Sequence, residues 1–497
     1  MTTSAAPEES RPAGRWDRAT VAVVAGHFTG TTGATALVTA LGKQVYDLSG
    51  RELDLGLLGL AEFAPAALLV LVTGTVADRV DRRRQAGLAA LGQGAVALVV
   101  AAYVAGRPTA VGPLVALAVL FGVARAFMAP AVRSLPADVV PPALLPWLVA
   151  RWTVTLEVAR IVGPVVAGTL YALDPAAPFL AAAGLGLAAA LTFSLIPPRP
   201  PAGAPDPPAA APDGAAARES AAGPDGAGAP AEARARLHDA LEGLRVVRRQ
   251  PILLGAISLD LFAVLFGGAI ALLPAIAEER LGVGAVGFGW LRAANGIGAS
   301  AAMLALAVRP IRRRVGTTLL AGVAAFGGAT IVLGVTRSYA VAFVALLVLA
   351  AADAVSVFIR VTLVPLVTPP AARGRVLAVE NVFIGASNEL GAFESGVAGQ
   401  VLGPGPAVAL GGLATVAVAA TWARLFPALR DVDRFPTGPA DEDPAGRARA
   451  PADGDATAAR AADWAGPPTG RPNAEGQPVD QPNTSGEEDR DQTSRSA

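Results

Sequence analysis

"VTGTVADRVDRRR", residues 72–84, ends a long apolar run with two aspartates and four arginines in its last seven positions. A shorter echo, "VRPIRRR", returns at 308–314. An apolar run that stops in a block of arginine is how a helix leaves a bilayer on its cytoplasmic side. The echo is not isolated. At a shift of 230 positions Gly59 falls on Gly289, Glu62 on Arg292, Arg79 on Arg309 and Arg82–Arg84 on Arg312–Arg314. Further on, "VVPP" at 139–142 meets "VTPP" at 367–370, and "VVAG" at 165–168 meets "GVAG" at 396–399. Landmarks in the same order at nearly one offset mark a duplicated unit.

A bilayer core of roughly 30 Å takes about 20 apolar residues of helix. By that measure the spans fall at 20–42, 55–76, 86–105, 109–129, 147–170 and 178–195, then at 252–277, 286–308, 315–333, 339–364, 377–401 and 406–426. Composition agrees: 16% of residues are charged, against about 25% in soluble domains, and mean hydropathy is +0.49. The expected fold is an all-α membrane protein, twelve transmembrane helices in two pseudo-symmetric six-helix halves. Links after spans 2, 4, 8 and 10 hold most of the loop arginines, which puts both termini in the cytoplasm. The zero formal charge averages two environments and says little about partners.

The chain divides into a cytoplasmic N-terminal tail (1–19), a first six-helix half (20–196), a linker (197–250), a second half (251–429) and a C-terminal tail (430–497). The linker opens rich in Pro, Ala and Gly and closes in a short amphipathic stretch, "LHDALEGLRVVRR" at 237–249, expected at the membrane surface. His238 there reads as a solvated histidine. The tail is equally biased in composition and is assigned no fold.

Several chemistries lack material. There is no cysteine, so disulfides and thiolate sites are excluded. Two histidines, His27 and His238, leave no multi-histidine metal site and no Ser-His-Asp triad. The single lysine, Lys43, is followed by Gln44, so no phosphate-cradling P-loop exists. No catalytic residue, metal or cofactor is expected, and no nucleic acid.

With these residues in view the chain resembles the major facilitator superfamily, and within it the drug:proton antiporter branch that includes the enterobactin exporter. The resemblance covers about 20–426. The loop between spans 2 and 3 matches Gly-x-x-x-Asp-Arg-x-Gly-Arg-Arg through Gly74, Asp78, Arg79, Arg82 and Arg83, with Asp81 at the second glycine. Arg125 matches the arginine of the span 4 motif, where Met128 and Ala129 replace Gln and Gly. The antiporter signature of span 5 is carried by Ala159, Gly163, Pro164, Ala167 and Gly168. "QVYDLSG" after span 1 and "ISLDLFAVLFGGAIALLP" in span 7 are similar to this branch too. The resemblance implies gating by the loop and span 5 motifs and by Arg125 of the span 4 motif, and it implies export.

Ionisable groups inside a membrane are costly and functional by default. Asp260 lies about 12 Å into span 7 with only apolar residues a turn away. It is the first choice for proton coupling, against a structural hydrogen bond. Glu157, about 15 Å into span 5, has Arg160 in helical reach, either as a structural pair or as a relay broken by protonation. Glu389 and Glu394 on span 11 are further proton-coupling candidates, while Glu380 near its end reads as exposed. Glu62 and Arg292, equivalent in the repeat, are expected to face each other across the cavity. Asp78 and Arg79 are read as a gate, and Arg82–Arg84 mostly as topology. Asp353 and Arg125 are each functional or half of an unseen pair, and His27 reads as a packing residue.

The expectation is a proton-coupled exporter of amphipathic small molecules (a drug, siderophore or secondary metabolite), working by alternating access as a monomer. Its partners are the substrate, protons and the lipid bilayer. An Arg-, Ala- and Gly-rich, lysine-poor composition points to a bacterium, hence to its plasma membrane. The alternative is a non-transporting sensor or scaffold of the same fold.

Overall fold

The computed structural model describes residues 16–197 and 241–436, without the side chains of 70–72 and 74–79. The described residues form helices and connecting turns. The first half holds α1 (Arg18–Ser49), α2 (Glu52–Arg79), α3 (Arg82–Ala105), α4 (Gly112–Val139), α5 (Leu145–Leu173) and α6 (Ala177–Ser194). A short α7 (Leu241–Arg249) precedes the second half. That half holds α8 (Pro251–Phe266), α9 (Leu273–Ala275), α10 (Ala285–Val308), α11 (Val315–Val335), α12 (Tyr339–Val367), α13 (Arg373–Leu402), α14 (Pro404–Leu425) and α15 (Pro427–Arg430).

Local chemistry sets the ends. Asp17 caps α1 by accepting from the Thr20 amide at 2.8 Å, and Gly50 closes the helix in the left-handed region at φ 57°. Asp81 caps α3 by accepting from the Arg83 amide at 3.1 Å. Proline stands in the first turn of α4, α5, α6, α8 and α14, where its missing N–H costs nothing.

Among the described residues, nine helices are long and apolar enough to cross a membrane, or ten if the bent pair of α7 and α8 counts as one span. The expected seventh span, 252–277, is broken: α8 stops at Phe266 and the chain resumes in α9 and a π-turn at Ile276–Arg280. Close packing explains the break. A Cβ on Gly268 would sit 2.8 Å from the Gly391 carbonyl carbon, and one on Gly267 2.7 Å from the Ala263 oxygen. Outside the amphipathic stretch's described part, α7, residues 237–240 lie among those not described.

Each half has its own apolar core. Leu37, Leu41, Leu114, Phe121 and Phe179 anchor the first, and Leu253, Leu259, Leu319 and Leu363 the second. Leu68, Leu88, Leu304 and Val361 point outward, as a hydrocarbon solvent permits. The halves meet along two seams, α5 with α10 and α2 with α13, which the repeat makes equivalent. In the α5–α10 seam a Cβ on Gly168 would lie 2.9 Å from the Gly289 Cα. Only glycine at both places lets the backbones touch.

The composition-based boundary of the C-terminal tail needs one correction. Residues 431–436 are fastened to the bundle: Gly316 donates to the Val432 oxygen at 2.9 Å, the Arg314 amide to Asp433 at 3.1 Å, and Phe435 meets the Phe358 ring edge-on. Capping the free amides of α11 holds this segment where its composition alone does not.

Candidate functional site

The bundle has two ends: the Gly50 end, holding the α1–α2 turn, and the arginine end, holding Arg82–Arg84 and Arg312–Arg314. Helix positions then place the charged groups in three layers.

At the Gly50 end, polar contacts cross between the halves. Lys43 on α1 donates to Glu278 of the π-turn at 2.9 Å and pairs with Asp47 one turn on. Tyr46 donates to Glu279. Tyr171 on α5 donates to Asp47 and to Gln44, each at 2.8 Å. The Lys43 hydrogen bond holds the Glu278 carboxyl below the usual carboxylate range. Sequence reading passed over this cluster, although a lone lysine at the end of a span was a signal.

The middle layer holds most of the expected residues. Glu62 (α2) is buried, and its ion pair is with Arg125 (α4) at 3.8 Å rather than with Arg292. Arg292 (α10) still acts on it electrostatically. The repeat predicted an encounter across the seam, but Arg125 stands in the same half and reaches Glu62 first. Glu389 (α13) approaches from the other half: a Cβ on Gly59 would lie 3.4 Å from its Oε2, and both Arg125 and Glu62 act on it. These four groups thus gather from both halves. Glu394, a turn and a half away, lies 3.5 Å from the Ser395 hydroxyl. On α5, Glu157 and Arg160 pair at 3.1 Å, with one Glu157 oxygen buried and unpaired among the described residues. His27 stacks on the Trp152 ring at 4.2 Å between centroids.

Asp260 is not alone, as its own helix suggested. Arg360 of α12 meets it at 2.7 Å, with side chains 8% and 4% exposed. Asp353, two turns before Arg360 on the same face of α12, and Glu380 on α13 lie in the same electrostatic cluster. Glu380 is buried, not exposed as its place near the span end implied, because α13 begins at Arg373 and carries it inside. Asp260, Asp353 and Ser356 also line a cavity of about 10 Å³, near the threshold for one water. Arg360 falls inside span 10, so the rule that flagged Asp260 would have flagged it too.

At the arginine end each block binds within its own half. Arg82 donates to Asp138 at the end of α4 at 3.0 Å. Arg83 donates to Asp81 at 2.7 Å and to the Ile196 oxygen after α6 at 2.8 Å. Burial pushes the Asp81 carboxyl up, and its hydrogen bonds from Arg83 outweigh that, leaving it below the usual range. In the second half Arg314 and Arg313 bind Asp433, after α14. Arg83 and its repeat equivalent Arg313 thus each tie their loop to the segment following the last long helix of their own half. Gly74 lies on α2, and the side chains of Asp78 and Arg79 lie outside the described residues. Gly163 packs on α1, where a Cβ would sit 2.9 Å from the Thr32 oxygen, and Pro164 and Gly168 lie on the α5–α10 seam.

Among the described residues no group of His, Asp and Glu is arranged to hold a metal. The arrangement is a set of buried charged groups within and between two six-helix halves, which Lys43–Glu278 and Tyr46–Glu279 join at the Gly50 end.

A family model described as the Major Facilitator Superfamily matches residues 23–392. No curated protein matches the sequence. Among solved structures, a bacterial homologue of the human lysosomal transporter Spinster, inward-facing and unoccupied, is 16% identical, with 85% of this chain and 97% of that chain covered and a TM-score of 0.60. The nucleoside transporter NupG is 11% identical, covering 82% and 98%, with a TM-score of 0.61. A variant of the peptide transporter POT in complex with sulfate is 13% identical, covering 84% and 95%, with a TM-score of 0.63. At such identities the likeness concerns the fold.

Proposed function

The chain belongs to the Major Facilitator Superfamily, and from that premise we propose that this multi-pass membrane transporter is a proton-coupled exporter of amphipathic small molecules. It sits in the plasma membrane of a bacterium as a monomer, with both termini and the arginine end in the cytoplasm. In that orientation the Lys43 and Tyr46 contacts close the outer end, and the bundle faces inward.

The observation that carries the reading is the cluster of Asp260, Asp353 and Glu380 around the single guanidinium of Arg360. With all four ionised, the patch holds uncompensated negative charge in a low-dielectric interior. Binding a proton takes the net charge from −2 to −1 and lowers that cost, and releasing it restores it. Alternating access supplies the exchange: protons arrive when the outer end is open and leave when the inner end is. Substrate crosses the other way, through the middle layer of Glu62, Arg125, Arg292 and Glu389. Export rests on the span 5 signature, whose Pro164 and Gly168 line the seam that must part when the outer end opens.

The test is purified protein in liposomes with a pH-sensitive dye inside, an imposed proton gradient and a panel of lipophilic drugs and siderophores. Compound-dependent proton movement in the wild type, lost in Asp260→Asn, is the expected result. Equal movement in the variant reassigns coupling to Glu157, Glu389 or Glu394. No movement across the panel leaves the non-transporting reading standing.

A further inference from the structure

Helix α7 turns 110° from α8, so it runs across the end of the bundle instead of through it. Its two faces differ. Gly243 and Val247 are buried. A Cβ on Gly243 would lie 2.9 Å from the Arg375 carbonyl carbon and 3.1 Å from Val379 Cγ2, and Val247 joins the core of Leu253, Val315 and Leu429. On the other face Leu241, Arg245, Arg248 and Arg249 are exposed, spaced so that they share one stripe of helix surface. The three arginines have no hydrogen-bond or ion-pair partner among the described residues. Nearby acids are engaged: Glu242 with Arg375, Asp433 with Arg313 and Arg314, and Asp431 with Arg430.

We propose that this face of α7 docks on the anionic phospholipid headgroups of the bilayer. Guanidinium forks match phosphate oxygens in shape and charge. A helix in the plane of the interface sets its arginines at headgroup depth, and Leu241, 48% exposed, is suited to the acyl boundary beneath. A preference for cytoplasmic arginine explains the side on which these residues lie. It does not explain three of them aligned on one face without counter-ions among the described residues, opposite a face moulded to the protein. Docking also reaches the transport machinery. Glu242 and Gly243 hold the first turns of α13, and Val379 beside Gly243 precedes Glu380 of the buried cluster. Headgroup binding therefore steadies the helix that carries Glu380, Glu389 and Glu394. This last step rests on the transport reading; the binding does not.

The experiment uses the full chain. Retention of phosphatidylglycerol against phosphatidylcholine is measured by native mass spectrometry, for the wild type, for R245Q/R248Q/R249Q and for R245K/R248K/R249K. Proton flux is measured in parallel in vesicles of phosphatidylcholine alone and of an equal mixture of the two lipids. The wild type is expected to prefer phosphatidylglycerol. The glutamine variant loses at least about tenfold of that preference, the lysine variant keeps most of it, and rising salt weakens it. Equal retention of both lipids by the wild type, or full preference in the glutamine variant, overturns the proposal. Should the glutamine variant not fold, a wild-type preference indifferent to salt overturns it equally. Lipid preference without flux in either vesicle overturns the transport reading and leaves the docking site standing.

Discussion

Asp260 on α8 and Arg360 on α12 are 100 residues apart in sequence and 2.7 Å apart in the fold, with almost no solvent on either. Removing one partner of such a pair strands the other, at a cost of about 3–5 kcal/mol in soluble proteins. Asp260 can take up a proton and Arg360 cannot lose one. Asp260→Asn is therefore expected to destabilise more than Arg360→Leu, because it takes from an obligate cation its one hydrogen-bonded carboxylate, with Asp353 and Glu380 acting on Arg360 only from further off. The double variant should be more stable than the sum of the singles implies. Thermal unfolding of all four proteins in detergent checks the order; strictly additive changes would contradict it.

In the middle layer, Arg125 and not Arg292 pairs with Glu62. Exchanging charges within that pair, Glu62→Arg with Arg125→Glu, is expected to restore part of the flux that each single change abolishes. Exchanging Glu62 with Arg292 is expected to restore none. The liposome assay reads both; rescue by the second exchange alone would reverse the assignment.

The Lys43 and Glu278 contact links proton concentration to closure of the Gly50 end. Glu278 is held below its ordinary pKa by Lys43, so its contribution to the closed end is complete above the unfolded value, about 4.3, and is lost as pH falls through the lowered one. Across pH 6–8 (roughly the physiological range) Glu278 should stay charged and the end stay shut. Glu278→Gln should loosen the end throughout that range. The chain has no cysteine, so spin labels on introduced cysteines report only the chosen distances. A variant distance identical to the wild type would remove Glu278 from the latch.

Gly168 and Gly289 let α5 and α10 touch. Gly289→Val places a branched side chain where the Pro164 oxygen and Gly168 Cα stand 2.6 and 3.0 Å from a Cβ. The closed seam is then disfavoured, and the population shifts toward opening at the Gly50 end. The same spin-label pairs should show longer distances, by several ångströms on the scale of such rocking motions. Unchanged distances would mean the seam can repack.

Much of the fold was legible before any coordinates. The arginine blocks, the 230-position offset and the apolar run lengths gave the helices, the two halves and the repeat, because a bilayer forces each span to satisfy its own backbone and show an apolar surface. Span 7 was read too long. Its Gly267–Gly268 break depends on how closely α11 and α13 approach, and hydropathy carries no record of that distance. The C-terminal tail boundary was set too early for a similar reason: Asp433 is held by amides of a helix more than a hundred residues away.

For the candidate site, sequence supplied most of the buried acids and Arg125, and the fold added Arg360 and the Lys43–Glu278 contact and decided the pairings. Acids inside apolar spans already marked the candidate residues, since an ionisable group is costly at that depth whatever its neighbours in sequence. Who neutralises whom did not follow. Asp260 finds Arg360, Glu62 finds Arg125 before Arg292, and Lys43 finds Glu278, each across helices whose relative rotation is set by packing of small residues. Electrostatic energy falls with distance, and between helices that distance exists only once the halves have packed.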